Sequence, residues 1–272
     1  MTAITTPVTR GAARGASMLR ATRSVARRTT RKFLRTPQLV VVGTIQGAMF
    51  LLIFRYVFGG AINGGGVPYV DFLVPGFVTT SVLFVGMSTA AGIAEDLEQG
   101  FVDRLRSLPI PRAAVLAGRA LADSQMLVWN LAITVAIGFA VGFRLHGSVA
   151  AGIAAFALCA LFGFAFTWLF ILLGLVAGNA QAAQGMSLLV FPLTFVSSAY
   201  VQVRTMPGWM QAFAEHQPIT PMVDAVRGLC LGGRAHEVLG HGPGYDVVSA
   251  IVWSAALVVV FGALAVMRFR RV

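Results

Sequence analysis

Residues 95–111 read EDLEQGFVDRLRSLPIP, the one place in the chain where acidic and basic side chains crowd together. Glu95, Asp96, Glu98 and Asp103 stand beside Arg104, Arg106 and Arg112, with hydrocarbon-like sequence on both sides. Leu97, Phe101, Leu105 and Leu108 recur at helical spacing, which predicts an amphipathic helix. Pro109 and Pro111 end it, because proline has no N–H to give and clashes with the preceding turn. Two readings are open from these residues alone. One is a solvated loop between membrane spans; the other is a docking helix under the membrane that offers a soluble partner something to push.

The flanking sequence sets the class. Of 272 residues, 57% are hydrophobic and only 11% charged, against about a quarter charged in soluble domains. Long uncharged runs make the chain a polytopic membrane protein. Its net charge of +11 sits largely in an N-terminal tail beside a span, which fits a membrane surface better than nucleic acid. Lys32 is the only lysine, so no phosphate-binding GxxxxGK[ST] loop can occur, and any ATP must bind another chain. The two cysteines, Cys159 and Cys230, give no disulfide expectation.

The tail, residues 1–37, is expected to form a cytoplasmic unit apart from a permease domain at 38–272. It has no apolar signal-peptide core before Pro37. Met18, Leu19, Thr22, Val25, Ala26, Thr29 and Phe33 share one helical arc. Arg20, Arg23, Arg27, Arg28, Arg31, Lys32 and Arg35 share the opposite one. Such a helix lies in the headgroup layer, with Arg20, Arg23, Arg27 and Arg31 toward anionic lipid. A plain basic topogenic tail is the alternative.

Six spans are expected, at about residues 39–58, 72–94, 123–141, 149–177, 182–199 and 247–267. Arg55 near the far end of the first can snorkel outward, and Asp71 can cap the second. Asp123 is expected at the interface near Arg119. From Gly147 to Val203 no charge occurs. One helix of that length would run ~85 Å, far beyond a ~30 Å hydrocarbon core. It must fold back, and Gly178-Asn179-Ala180-Gln181 is its one polar, flexible place. Met206-Pro207-Gly208-Trp209-Met210 starts a short helix, His216-Gln217-Pro218 breaks it, and 222–231 reads as a second. With Trp209 interfacial, the pair suggests a hairpin dipping into the outer leaflet. A glycine-rich loop is expected from 232 to 244. Basic residues concentrate in the tail, the 95–119 loop and the C-terminus, which places both termini in the cytoplasm.

Two sets of motifs then carry a family resemblance. One is Glu95-Asp96-Leu97-Glu98-Gln99-Gly100, continuing through Leu105-Arg106-Ser107-Leu108-Pro109 and Arg112 to Gly118-Arg119. The other joins Phe191-Pro192-Leu193-Thr194-Phe195, Met206-Pro207-Gly208-Trp209, Pro218-Ile219-Thr220 and Asp224-Ala225-Val226-Arg227-Gly228-Leu229. The chain resembles the membrane subunit of type-2 ABC exporters, in the branch of the daunorubicin-resistance permeases. The resemblance implies a bacterial inner-membrane, all-α permease without enzyme activity. It makes Glu95, Asp96, Glu98, Phe101, Asp103, Arg104 and Arg106 part of a helix that couples to an ATPase subunit. It makes Pro207, Trp209, Pro218, Asp224 and Arg227 part of a re-entrant hairpin beside the export path. His216-Gln217 departs from the family pattern, where asparagine usually precedes the proline, as do Tyr200, Gln202 and Arg204.

Six spans enclose no path alone, so a second permease, identical or a sister chain, is expected on two ATPase subunits that carry ATP and magnesium. An apolar path lined by Phe54, Phe77, Phe191 and Phe195 would suit a hydrophobic drug or lipid. A secondary transporter or channel is the alternative, but it would normally place ionisable groups in mid-membrane. A membrane-anchored nucleic-acid binder is disfavoured, since the basic tail is one short helix. His236, Glu237 and His241 are too loosely held among glycines to suggest a metal site.

Overall fold

The computed structural model describes residues 37–60, 62, 66–100 and 112–271. Ten α-helices occupy them: α1 Pro37–Leu52, α2 Tyr69–Glu98, α3 Arg112–Ala140, α4 Val149–Val176, α5 Ala180–Ser187, α6 Phe191–Phe195, α7 Gly208–His216, α8 Ile219–Leu231, α9 Ala235–Leu239 and α10 Gly244–Arg271. No strand occurs among the described residues. The protein is all-α and polytopic.

Among the described residues, four helices are long and apolar enough to cross a membrane: α2, α3, α4 and α10. α4 is the hub, packed against α2, α3, α8 and α10. Lipid gives helices no hydrophobic drive to associate, so close packing over small residues must supply it. Here a Cβ on Gly174 of α4 would sit 2.8 Å from Ile93 Cβ of α2, so glycine alone allows that approach. The outward side chains of α10, such as Val248, Val252 and Val259, stay exposed, as lipid-facing residues do.

The expected break is present. α4 stops at Val176, Gly178 turns the chain at a positive φ of 78°, and the Asn179 side chain caps α5 by accepting from the Ala182 N–H. The expected fifth span, however, is not one helix. α5 passes into a 3-10 turn at Leu188–Val190, then α6, and helical geometry ends at Val196 with ψ 51°. The first expected span is α1 extended by a π-helical turn, Ile53–Val57, that carries Arg55. Arg55 is half-buried there, its guanidinium carbon 5.7 Å from the Tyr56 ring centroid.

Three further expectations are corrected. α3 begins at Arg112, well before residue 123, because Arg119 and Asp123 are paired inside it and hydropathy alone saw only their charge. Asp71 does not cap α2, whose N-cap is Pro68; its carboxylate accepts from the Arg144 N–H at 3.1 Å and fastens the α3–α4 loop instead. The glycine-rich loop folds into a 3-10 turn, Gly232–Arg234, followed by α9. The expected N-terminal interfacial helix, with Arg20, Arg23, Arg27 and Arg31, falls on residues outside the described ones.

Candidate functional site

Two polar constellations sit at opposite ends of the bundle, with an aromatic seam between α1, α2 and the broken segment.

At the end where α2 and α3 flank residues 99–111, Arg119 of α3 reaches across to α2. Its Nη1 donates to Asp96 Oδ2 at 2.9 Å, and its Nε donates to both oxygens of Asp123, one turn on, at 3.1 and 2.9 Å. All three side chains are buried. A guanidinium suits this place because its planar fork serves two carboxylates at once. The room comes from Gly92, where any side chain would overlap the Arg119 guanidinium. Around the triad, Ile93, Leu116, Ile171, Leu175 and Phe269 pack the ends of α2, α3, α4 and α10 into a separate apolar cluster.

The acidic half of the opening stretch therefore belongs to a span. Glu95–Glu98 is the last turn of α2, and Gly100 leaves it at a positive φ of 64°, so 95–108 is not one amphipathic helix. Glu98 is exposed and Glu95 half-buried, accepting from Gln99 Nε2 at 3.1 Å. Asp96 faces inward to Arg119 instead of joining their outer side. Phe101, Asp103, Arg104 and Arg106 lie outside the described residues.

At the other end Arg227 of α8 is fully buried. Its Nη1 donates to Asp224 Oδ1 at 2.7 Å, its Nη2 to the Ser198 carbonyl at 2.7 Å, and its Nε to the Phe72 carbonyl at 3.2 Å. The guanidinium carbon lies 3.8 Å from the Phe72 ring centroid. Ser198 Oγ also donates to Asp224, and Gln217 Nε2 donates to the Val196 carbonyl. These bonds have one purpose. Helix ends leave carbonyls without partners, and at membrane depth such backbone is tolerated only where protein satisfies it. Arg227 of α8 and Gln217, in the turn between α7 and α8, supply the donors for the broken segment 196–199. Gly76 of α2 lets that segment approach, since a Cβ there would overlap the Ala199 carbonyl.

The helix pair expected around Pro218 is present as α7 and α8. Trp209 at the start of α7 is 76% exposed, and Pro207 is its N-cap. α8 is not a half-exposed amphipath: Ile219, Met222, Val223 and Val226 are all buried against α2, α4 and α10. Sequence reasoning placed Asp224 and Arg227 in the hairpin but missed their bond to Phe72 and Ser198. The pairing signal was the i, i+3 spacing of opposite charges; nothing local pointed to the carbonyls.

The four phenylalanines named from sequence do converge. Phe54 and Phe77 each approach Phe50, at 4.8 and 5.9 Å between centroids, and Phe191 and Phe195 lie 5.0 Å apart. Tyr200 joins Phe54 to Phe195 at 5.0 and 5.2 Å, while its hydroxyl meets Thr80 Oγ1 at 2.9 Å. Leu188 and Leu189 beside this seam are exposed. Among the described residues no three His, Cys, Asp or Glu side chains gather as metal ligands.

Comparison with known proteins gives this geometry its context. The ABC-2 type transporter membrane family matches residues 20–231. The daunorubicin resistance ABC transporter permease protein DrrB1 of Streptomyces coeruleorubidus is 34% identical over 239 residues, covering 88% of this chain and 82% of that protein. The probable doxorubicin resistance permease DrrC of Mycobacterium tuberculosis is 24% identical over 239 residues, 86% and 82% of the two chains. The putative transport permease ycf38 of Cyanophora paradoxa is 23% identical over 197 residues, covering 71% and 68%. The family match takes in both polar constellations, α2 with its acidic end and the α7–α8 pair alike, and on that extent the chain is a member of the ABC-2 type transporter family, a transport component and not itself an enzyme.

Proposed function

We propose that this chain is the permease of an ATP-driven exporter that moves a hydrophobic drug or lipid-like substrate out of the cytoplasm or inner leaflet. It works in the bacterial inner membrane with both termini and the 99–111 loop cytoplasmic, and α7–α8 inserted as a re-entrant hairpin from outside. Two ABC ATPase subunits hold ATP and magnesium, since the single lysine leaves this chain no phosphate-binding loop. A second permease, identical or a sister chain, completes the path, and the aromatic seam beside exposed Leu188 and Leu189 faces it.

One observation carries the coupling: the Asp96–Arg119–Asp123 triad ties both helices that flank residues 99–111. A push on Glu95, Glu98, Asp103, Arg104, Arg106 or Phe101 would enter α2 and α3 together. Truncating one member of a buried, hydrogen-bonded charge pair across an interface costs about 2–5 kcal/mol, whereas exposed charges contribute about 0–1. Glu98→Ala and Phe101→Ala should therefore cut export and substrate-stimulated ATP hydrolysis at least severalfold, with expression and membrane insertion intact. Assembly and export like the unaltered protein in both variants would reduce the loop to a connector.

A further inference from the structure

A cavity of about 440 Å³ opens between α7, α8, α9 and the start of α10, at the end away from the Asp96–Arg119–Asp123 triad. Its walls hold three carboxylates (Asp224, Glu215 and Asp246) against two guanidiniums (Arg204 and Arg227). That is a formal surplus of one negative charge with the histidines neutral. The two sides are not equally occupied. Asp224 and Arg227 satisfy one another, and Arg204 Nε donates to Gln202 Oε1 at 2.6 Å. Glu215 is exposed to solvent, so Asp246 is the buried carboxylate that no guanidinium meets; its one cationic neighbour is His241, and only when that ring is protonated. Asp246 is only 5% exposed, yet its Oδ2 has no hydrogen-bond partner. The nearby His241 Nδ1, 3.5 Å away, is beyond hydrogen-bond length and lies 3.2 Å from the Gly242 carbonyl.

A buried carboxylate oxygen without a donor is costly unless something supplies one. The rest of the cavity says what that is. Tyr245 at the mouth, 76% exposed, offers an aromatic face of the kind that attracts cations. Phe72, Val203, Pro221, Val238 and Leu239 make much of the remaining wall apolar. The occupant must therefore carry a donor, preferably cationic, on an apolar body.

We propose that this cavity binds the protonated amine of an amphiphilic molecule, with Asp246 as its counter-ion. Asp246 and Tyr245 grip the ammonium, and the apolar wall takes the adjoining hydrocarbon. In its use as an exit site the proposal rests on the exporter reading, while binding itself does not. A free amphiphilic amine and the ammonium of a phospholipid headgroup share this chemistry.

The test uses the full chain with its ATPase subunits in phosphatidylglycerol nanodiscs, without nucleotide. The probes are a dansyl-labelled primary alkylamine and its N-acetylated analogue. The amine is expected to bind at least about tenfold more tightly than the analogue, as loss of a partly buried charge pair requires. Asp246→Asn, nearly isosteric, should erase that preference while leaving the analogue's affinity unchanged. Ser249→Trp, which fills the cavity without removing charge, should abolish binding of both. Equal binding of the two probes to the unaltered protein, or a preference that survives Asp246→Asn, overturns the site. Adding phosphatidylethanolamine separates the sources: competition with the probe assigns the site to the headgroup, and no competition assigns it to free amines. Adding ATP separates the two proposals. Amine bound at Asp246 but never moved contradicts the exporter reading alone; amine moved equally by Asp246→Asn contradicts the site alone.

Discussion

Arg227→Ala is expected to be the most damaging single substitution in the described part of the protein. It leaves Asp224 as a buried charge without its cation and frees the carbonyls of Phe72 and Ser198. Removing one partner of a buried ion pair costs about 3–5 kcal/mol, and each orphaned buried acceptor adds about 1–3 more, not additively. In detergent the variant should aggregate or melt many degrees below the unaltered protein. Arg227→Lys should be intermediate, since a point charge can hold Asp224 but cannot also stack on Phe72 and reach two backbone carbonyls. The double variant Asp224→Ala/Arg227→Ala should recover part of the loss by removing the stranded charge. A thermal midpoint for Arg227→Ala within a degree or two of the unaltered protein would mean that the broken segment is held by something else.

The second large effect is expected at the other end. Arg119→Leu removes the guanidinium that buried Asp96 and Asp123 share and should destabilise by a similar amount, about 3–5 kcal/mol. Stability and coupling can be separated there. Replacing a whole buried ion network by uncharged groups is often tolerated, so Asp96→Asn/Arg119→Leu/Asp123→Asn should restore folding. It should not restore transport, because the bond between α2 and α3 is gone. In complexes with the ATPase, basal hydrolysis should persist while stimulation by substrate and export are lost. Full export by the triple variant would reduce the triad to a packing device.

Which parts could be read in advance follows from the physics of each. α4 and α10 are long runs without charge until their ends, and such runs have one solution in lipid. The fold-back at Gly178-Asn179 was legible because a glycine and a helix-capping asparagine stood together in an otherwise uninterrupted apolar stretch. α3 was read too short because Arg119 and Asp123 look like an interface until their mutual bond is known. Arg227 misled in the same way. Read from sequence as one charge of a hairpin in the outer leaflet, it is fully buried and anchors a core. The break at Val196 was equally hidden, since Phe191 to Tyr200 carries no charge and only contacts some thirty residues on show why its backbone can stop being helical. The hairpin helices were legible from Pro207 and Pro218, while the burial of α8, which depends on three other helices, was not.

The most direct measurement is transport by the purified protein in proteoliposomes, with and without its ATPase subunits. With both present, a hydrophobic fluorescent dye should move only when ATP is hydrolysed, and the permease alone should neither hydrolyse ATP nor move dye along a proton or sodium gradient. Dye movement driven by such a gradient without the ATPase, or tight ATP binding by this chain alone, would contradict an ATP-driven export permease.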